Sequence, residues 1–134
     1  MPDEQPPHRY TFPRSHRLSG SPAFDRVFDA QMRKNAGPLI VFTLPNGLPH
    51  SRLGLSVSRR VGTAVKRNRI KRYIREAFRL SQHDWPLGYD VVVVVRPHDT
   101  GTLADYQKVL FNGIRSGHLN WQRRTSRQGD ETAT

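Results

Sequence analysis

Apolar positions along the chain recur with two different periods, and turn residues separate them. Phe24, Val27 and Phe28 follow Ser21-Pro22 at the spacing of one helical face. A hydroxyl and a preset φ suit a helix start, so this pattern predicts a short helix near 22–31 capped by Ser21. Leu39 to Leu44 form a β-favourable run, and Leu53, Leu55 and Val57 alternate with Gly54, Ser56 and Ser58. Pro45-Asn46-Gly47-Leu48-Pro49 lies between them, which predicts that the two strands pair as a hairpin with a long loop. Over 62–80 the period becomes helical, and Ile70, Tyr73, Ile74, Ala77 and Phe78 mark the apolar side. Val91 to Val95 are five consecutive β-branched residues that suit a central strand covered on both faces. Thr102 and Asp105 read as a helix-start capping pair. Leu103, Tyr106, Val109, Leu110 and Ile114 then line a last helix, which Gly117 is expected to end.

The predicted order is helix, strand, strand, helix, strand, helix. This is an α+β chain forming a single-domain α-β sandwich around a small central sheet, one face of which stays partly open. The flanks are polar, with Pro2, Pro6 and Pro7 at one end and only Trp121 and Ala133 as apolar residues from 120 onward. They predict disordered tails over 1–9 and 119–134 around one domain, 10–118.

Charge changes the picture from fold to partner. With 22 Lys and Arg against 11 Asp and Glu among 134 residues, the chain carries +11 at neutral pH. Such a balance favours a polyanion, nucleic acid above all, over a small-molecule substrate. No apolar run is long enough to span a bilayer and the first residues do not form a signal peptide, so a soluble, cytoplasmic protein is expected. The absence of cysteine excludes a disulfide scaffold, a thiolate nucleophile and a Cys-ligated zinc.

Most of the charge sits in one window. Between Arg59 and Arg79 lie Arg59, Arg60, Lys66, Arg67, Arg69, Lys71, Arg72, Arg75 and Arg79, opposed only by Glu76. On a helix, Asn68, Arg72, Arg75 and Arg79 fall opposite the apolar side with Arg69 flanking them, a ridge about 16 Å long. A solvated polar face is the ordinary explanation of a charge run. Here a single acid cannot relieve the like-charge repulsion, and arginine outnumbers lysine seven to two. Planar guanidinium forks bind phosphate bidentately, so the ridge is expected to bind RNA.

Groups able to do chemistry are scattered. His8, His16, His50, His83, His98 and His118 show no metal-binding spacing and read as surface residues. Asp84, Asp90, Asp99 and Asp105 sit near element ends, where turn and cap roles suffice, and Gly54, Gly62 and Gly88 read as turn or close-packing residues. No catalytic or metal-ligating residue is therefore assigned to the protein. Phe24, Phe28 and Phe42 fit core packing by default, with base stacking as the alternative.

The stretch from Arg52 to Phe78, with Arg67-Asn68-Arg69 at its centre, resembles the signature of the bacterial ribonuclease P protein subunit. The resemblance extends through Arg17-Leu18, Phe24-x-x-Val27-Phe28 and Gly88-Tyr89-Asp90, covering 17–116. Phe42 stands where that family often has Tyr, and Thr63 where Asn is common. The resemblance implies that the basic helix lies in a left-handed β-α-β crossover, against the usual hand. It further implies that the chain binds the catalytic ribonuclease P RNA and the 5′ leader of precursor tRNA, with Phe24, Phe28 and Phe42 bordering the leader cleft. Cleavage would belong to the RNA and its magnesium, leaving no cofactor on the protein. A structural RNA binder of the ribosomal-protein kind shares the same charge and size. A DNA reader is disfavoured, since no short helix-turn-helix spacing precedes the basic stripe.

Overall fold

The computed structural model describes residues 14–84 and 86–133, with side chains through Ser126. The tail expected over 1–9 lies outside the described residues. Helix α1 spans Ser21–Asp29, and strands β1, Arg33–Ala36, β2, Leu39–Pro45, and β3, Arg52–Val57, follow it. Helix α2 covers Ala64–Ser81, β4 covers Tyr89–Val95, and α3 runs from Leu103 to Ala133. The strands form one mixed sheet in the order β1-β2-β4-β3, with β3 and β4 parallel and the other pairs antiparallel. Among the described residues no helix is long and apolar enough to cross a membrane.

Alternation along the strands separates two cores. Leu39 and Val41 of β2, Leu53 of β3 and Val91, Val93 and Val95 of β4 meet Ile70, Ile74, Ala77 and Phe78 of α2 and Tyr106, Leu110 and Ile114 of α3. On the other face Phe42 and Val92 meet Val27 of α1 and Leu18, with Phe24, Phe28, Ile40 and Val94 packed around them. The result is the expected α-β sandwich, with two helices on one face and a single short one on the other. The valine-rich strand β4 is central and buried except at Val94, which is partly buried, as its composition requires.

Pairing differs from the expectation in one respect. β2 and β3 are not a hairpin, because β4 lies between them. The hairpin partner of β2 is β1, an additional strand joined through Gly37-Pro38 with Ala36 opposite Leu39. Residues 46–51 instead carry the chain across the end of β4. There Asn46 N–H donates to the Gly88 carbonyl at 2.9 Å, and Ser51 Oγ accepts from Tyr89 N–H at 3.1 Å. Asp90 is no turn residue either. It lies buried in β4 and accepts two bonds from Arg52, at 2.7 and 2.6 Å, and one from the Asn46 amide at 2.9 Å.

Three local expectations concern helix ends. Ser21 is the first helical residue and not the cap. Gly20 takes that place at φ 88°, in the left-handed region that favours glycine, and its carbonyl accepts from Phe24 N–H at 3.2 Å. The Thr102–Asp105 pair does form. Asp105 accepts from Thr102 N–H at 2.9 Å while Thr102 Oγ1 accepts from Asp105 N–H at 3.2 Å, and these bonds lower the Asp105 pKa.

The third, Gly117 as a helix end, fails for a packing reason. Four helical residues rise about 6 Å and two strand residues about 6.7 Å, so α3 can run beside β2 with its contacts in step. Gly113 lies over Val41 and Gly117 over Thr43, and a Cβ on either would come within 2.5 Å of those side chains. One turn on, the Trp121 indole N–H donates to the Thr43 carbonyl at 3.1 Å and to its hydroxyl at 3.2 Å. Residues 119–126, expected to be disordered, thus continue α3 with Trp121 packed on the core. Gly117→Ala should destabilise the fold by about 1–3 kcal/mol, even though alanine is favoured over glycine in a helix by about 1 kcal/mol. Urea unfolding measures this, and a neutral substitution would mean that α3 is free to move off β2.

Candidate nucleic-acid interface

Helix α2 owes its position to its buried side. Thr63 caps it, accepting from Lys66 N–H at 3.2 Å, and Ile70, Ile74, Ala77 and Phe78 are buried under it. Tyr73 stacks on Tyr106 of α3, ring centroids 5.9 Å apart. With that side fixed, the opposite ridge has to face outward, and Asn68, Arg69, Arg72 and Arg75 are exposed. The first turn of α2 carries no acid, so the positive end of the helix dipole adds to the field of the side chains.

Arg17 enters the site from a separate part of the chain. Leu18 N–H donates to the Leu53 carbonyl at 2.9 Å, which pins the segment along the β3 edge. Asn68, Arg72, Arg75, Glu76 and Arg79 line a recess of about 470 Å³ together with this Arg17. A second recess of about 310 Å³ shares Arg17 and Arg75 with the first, and adds Lys71 of α2, Phe24 of α1 and Gly54 and Leu55 of β3. Gly54 is needed here, since a Cβ on it would lie 2.6 Å from the Phe24 ring. The arginine ridge and the α1 side of the sheet are therefore joined by continuous surface.

Glu76 is committed to Arg79. The Arg79 Nε donates to Glu76 Oε2 at 3.0 Å, its terminal nitrogen bonds the other oxygen, and the pair lowers the Glu76 pKa. Arg69, Arg72 and Arg75 have no ion pair among the described residues. Arg67 turns its Nε toward the Gly62 carbonyl at 3.3 Å. Arg59 and Arg60, exposed on a single 3-10 turn before α2, lie outside both recesses with Lys66, Arg67 and Arg69.

The three phenylalanines come together on the α1 face. Phe28 meets Phe42 edge to face at 4.9 Å and Phe24 at 6.3 Å. Phe42 is 9% exposed and belongs to the core, while Phe24 and Phe28 are half-buried. Arg33 of β1 places its guanidinium 5.8 Å from the Phe42 ring centre.

Histidines expected at the surface have defined partners. His118 Nδ1 bonds the Tyr89 hydroxyl at 2.7 Å, and His98 Nε2 bonds that of Tyr106 at 2.8 Å, both tyrosines being buried. His16 and His50 stack at 4.2 Å, and burial lowers the His16 pKa with a contribution from His50. Among the described residues no group of three or more His, Asp or Glu could hold a metal ion. Charge patterning does not mark Arg17 for RNA binding, because one arginine next to a buried leucine has no periodicity.

Comparison with known proteins gives one answer. The ribonuclease P family model matches residues 12–115. The ribonuclease P protein component of Methylococcus capsulatus is 48% identical over 123 residues, covering 90% of this chain and 92% of that protein. That of Desulfovibrio desulfuricans is 37% identical over 103 residues, covering 75% and 79%. Among solved structures, the ribonuclease P protein of Thermotoga maritima superposes with a TM-score of 0.66 at 31% identity, covering 72% of this chain and 92% of that one. The Staphylococcus aureus protein gives 0.64 at 34%, covering 71% and 88%. With its fold and most of its length in common with these proteins, the chain belongs to the ribonuclease P protein component family.

Proposed function

We propose that the chain binds the catalytic RNA of ribonuclease P through the outward ridge of α2 and the 5′ leader of precursor tRNA through the α1 face of the sheet. The observation that carries this reading is the pair of recesses sharing Arg17 and Arg75, which gives one surface with a guanidinium-rich end and an aromatic end. Guanidinium forks suit phosphates of a folded RNA, and half-buried rings suit the sequence-tolerant stacking of single-stranded bases. The protein then supplies affinity and alignment. Hydrolysis of the leader phosphodiester belongs to the RNA and its magnesium, in the cytoplasm where tRNA is processed.

The test is to purify the full-length protein from its own cells and sequence the RNA that comes with it. A ribonuclease P RNA species is expected, whereas ribosomal RNA alone would favour a structural RNA binder. The protein stripped of RNA should remove no leader from labelled precursor tRNA with magnesium present, and adding the transcribed RNA should restore cleavage at the mature 5′ end. Specific cleavage persisting after rigorous RNA depletion would place the active site on the protein instead.

A further inference from the structure

A second basic surface lies at the opposite edge of the sheet, three strand spacings or about 14 Å from β3. Its parts are held by one residue of β2. Thr43 N–H donates to the Met32 carbonyl at 3.0 Å, fixing the start of β1, while the Thr43 carbonyl and hydroxyl receive the Trp121 indole N–H. The corner of the sheet thereby sets β1, whose exposed Lys34 lies opposite Val41 on the α3 face, at the same edge as the turn of α3 that carries Trp121 to Arg124. There Met32, Asn120, Arg123 and Arg124 line a recess of about 320 Å³, with no carboxylate in its wall among the described residues.

The arginines are presented in order. Arg124 stacks over the Trp121 ring at 4.8 Å, and Arg123 donates to Asn120 Oδ1 at 3.4 Å. Neither these two nor Lys34 has an ion pair among the described residues. Three cations without an ion pair among the described residues repel each other along this edge, and an anionic ligand relieves that cost. The turns carrying Asn120 to Arg124 lie beyond residues 12–115, so the α3 part of this surface is outside what the family model matches.

We infer that Arg123 and Arg124, with Lys34 on the same face of the sheet, form a second site for RNA phosphodiester backbone, engaged together with the α2 ridge. Anchoring through Trp121 makes the end of α3 a fixed arm, so less ordering entropy is lost when RNA binds. The inference rests on the RNA-binding function proposed above. Two sources offer the same chemistry, the catalytic RNA and the precursor tRNA, and separate measurements distinguish them.

Affinity of the full-length protein for transcribed ribonuclease P RNA, and of the assembled holoenzyme for precursor tRNA, is measured across a salt series. The variants are R123Q/R124Q, R123K/R124K and, as reference, R72A/R75A, with melting curves for each. In one of the two measurements R123Q/R124Q is expected to give a log affinity against log salt slope shallower by about 1.5, that is, two lost phosphate contacts. R123K/R124K should keep the native slope. The measurement showing the loss identifies which RNA occupies the site. Unchanged slopes in both, with R72A/R75A showing its own decrease, would overturn the second site and leave the α2 reading intact. Unchanged slopes for R72A/R75A as well would overturn both. Equal losses in the lysine and glutamine variants would assign the arginines to packing on Trp121 and also overturn the proposal.

Discussion

Phe42→Ala is expected to cost about 3–5 kcal/mol of stability, the usual penalty for emptying a buried phenylalanine site. The ring is 9% exposed, lies against the Phe28 edge, and packs with Leu18, Val27 and Val92 between α1 and the sheet. Nothing larger than the partly buried Phe24 and Phe28 stands ready to refill that space. Phe28→Ala should behave differently, because its ring is only half-buried. A smaller stability loss is expected, together with roughly tenfold weaker holoenzyme binding of a long-leader precursor, since one stacked base is worth about 1–3 kcal/mol. A precursor with a single leader nucleotide should be little affected. Melting curves and binding to the two precursors check both variants. A Phe42→Ala protein that melts like the native one and loses only long-leader binding would remove Phe42 from the core and make it part of the cleft surface.

Replacing Arg69, Arg72 and Arg75 by alanine should make the slope of log affinity against log salt shallower by about 2–3 units on the catalytic RNA, one lost phosphate contact each. Affinity at low salt falls with it. The fold should survive, because Ile70, Ile74 and Phe78 hold the helix from the other side. Arg79→Ala is expected to do less than any of the three, since Glu76 already neutralises that guanidinium and the variant releases the carboxylate as it removes the cation. Salt-dependent binding with circular dichroism on the free protein measures this. A folded triple variant with the native slope would mean that the ridge is solvated surface and that RNA is held elsewhere.

Much of this molecule is written locally in its sequence. Ile70, Ile74, Ala77 and Phe78 at helical spacing decide which side of α2 is buried, and that decides where the arginines point. Five valines in a row leave β4 no choice but the centre of the sheet. The capping pair at Thr102 and Asp105 needs only residues within one turn, so it too is legible. The likeness carried by Arg52 to Phe78 adds the family, which local patterning alone does not name.

What the sequence could not decide alone depends on contacts between residues far apart. β1 is written Arg-Lys-Asn-Ala, three exposed residues of four, and its strand identity comes from hydrogen bonding to β2, which local hydrophobic patterning does not record. Pairing of β2 with β4 in preference to β3 likewise joins residues far apart in the sequence, which local patterning does not record. Gly113, Gly117 and Trp121 share one helical face, but their meaning appears only when β2 lies beneath them. Close approach to Val41 and Thr43, and not helix termination, is what requires the glycines. Arg17 joins the arginine ridge because the next residue, Leu18, donates its backbone N–H to Leu53, and Phe42 is withdrawn from solvent by α1. Periodicity reports which side of an element is apolar. Only the packed structure reports what that side meets, and here that choice set the length of α3, the shape of the groove and which aromatic rings remain accessible.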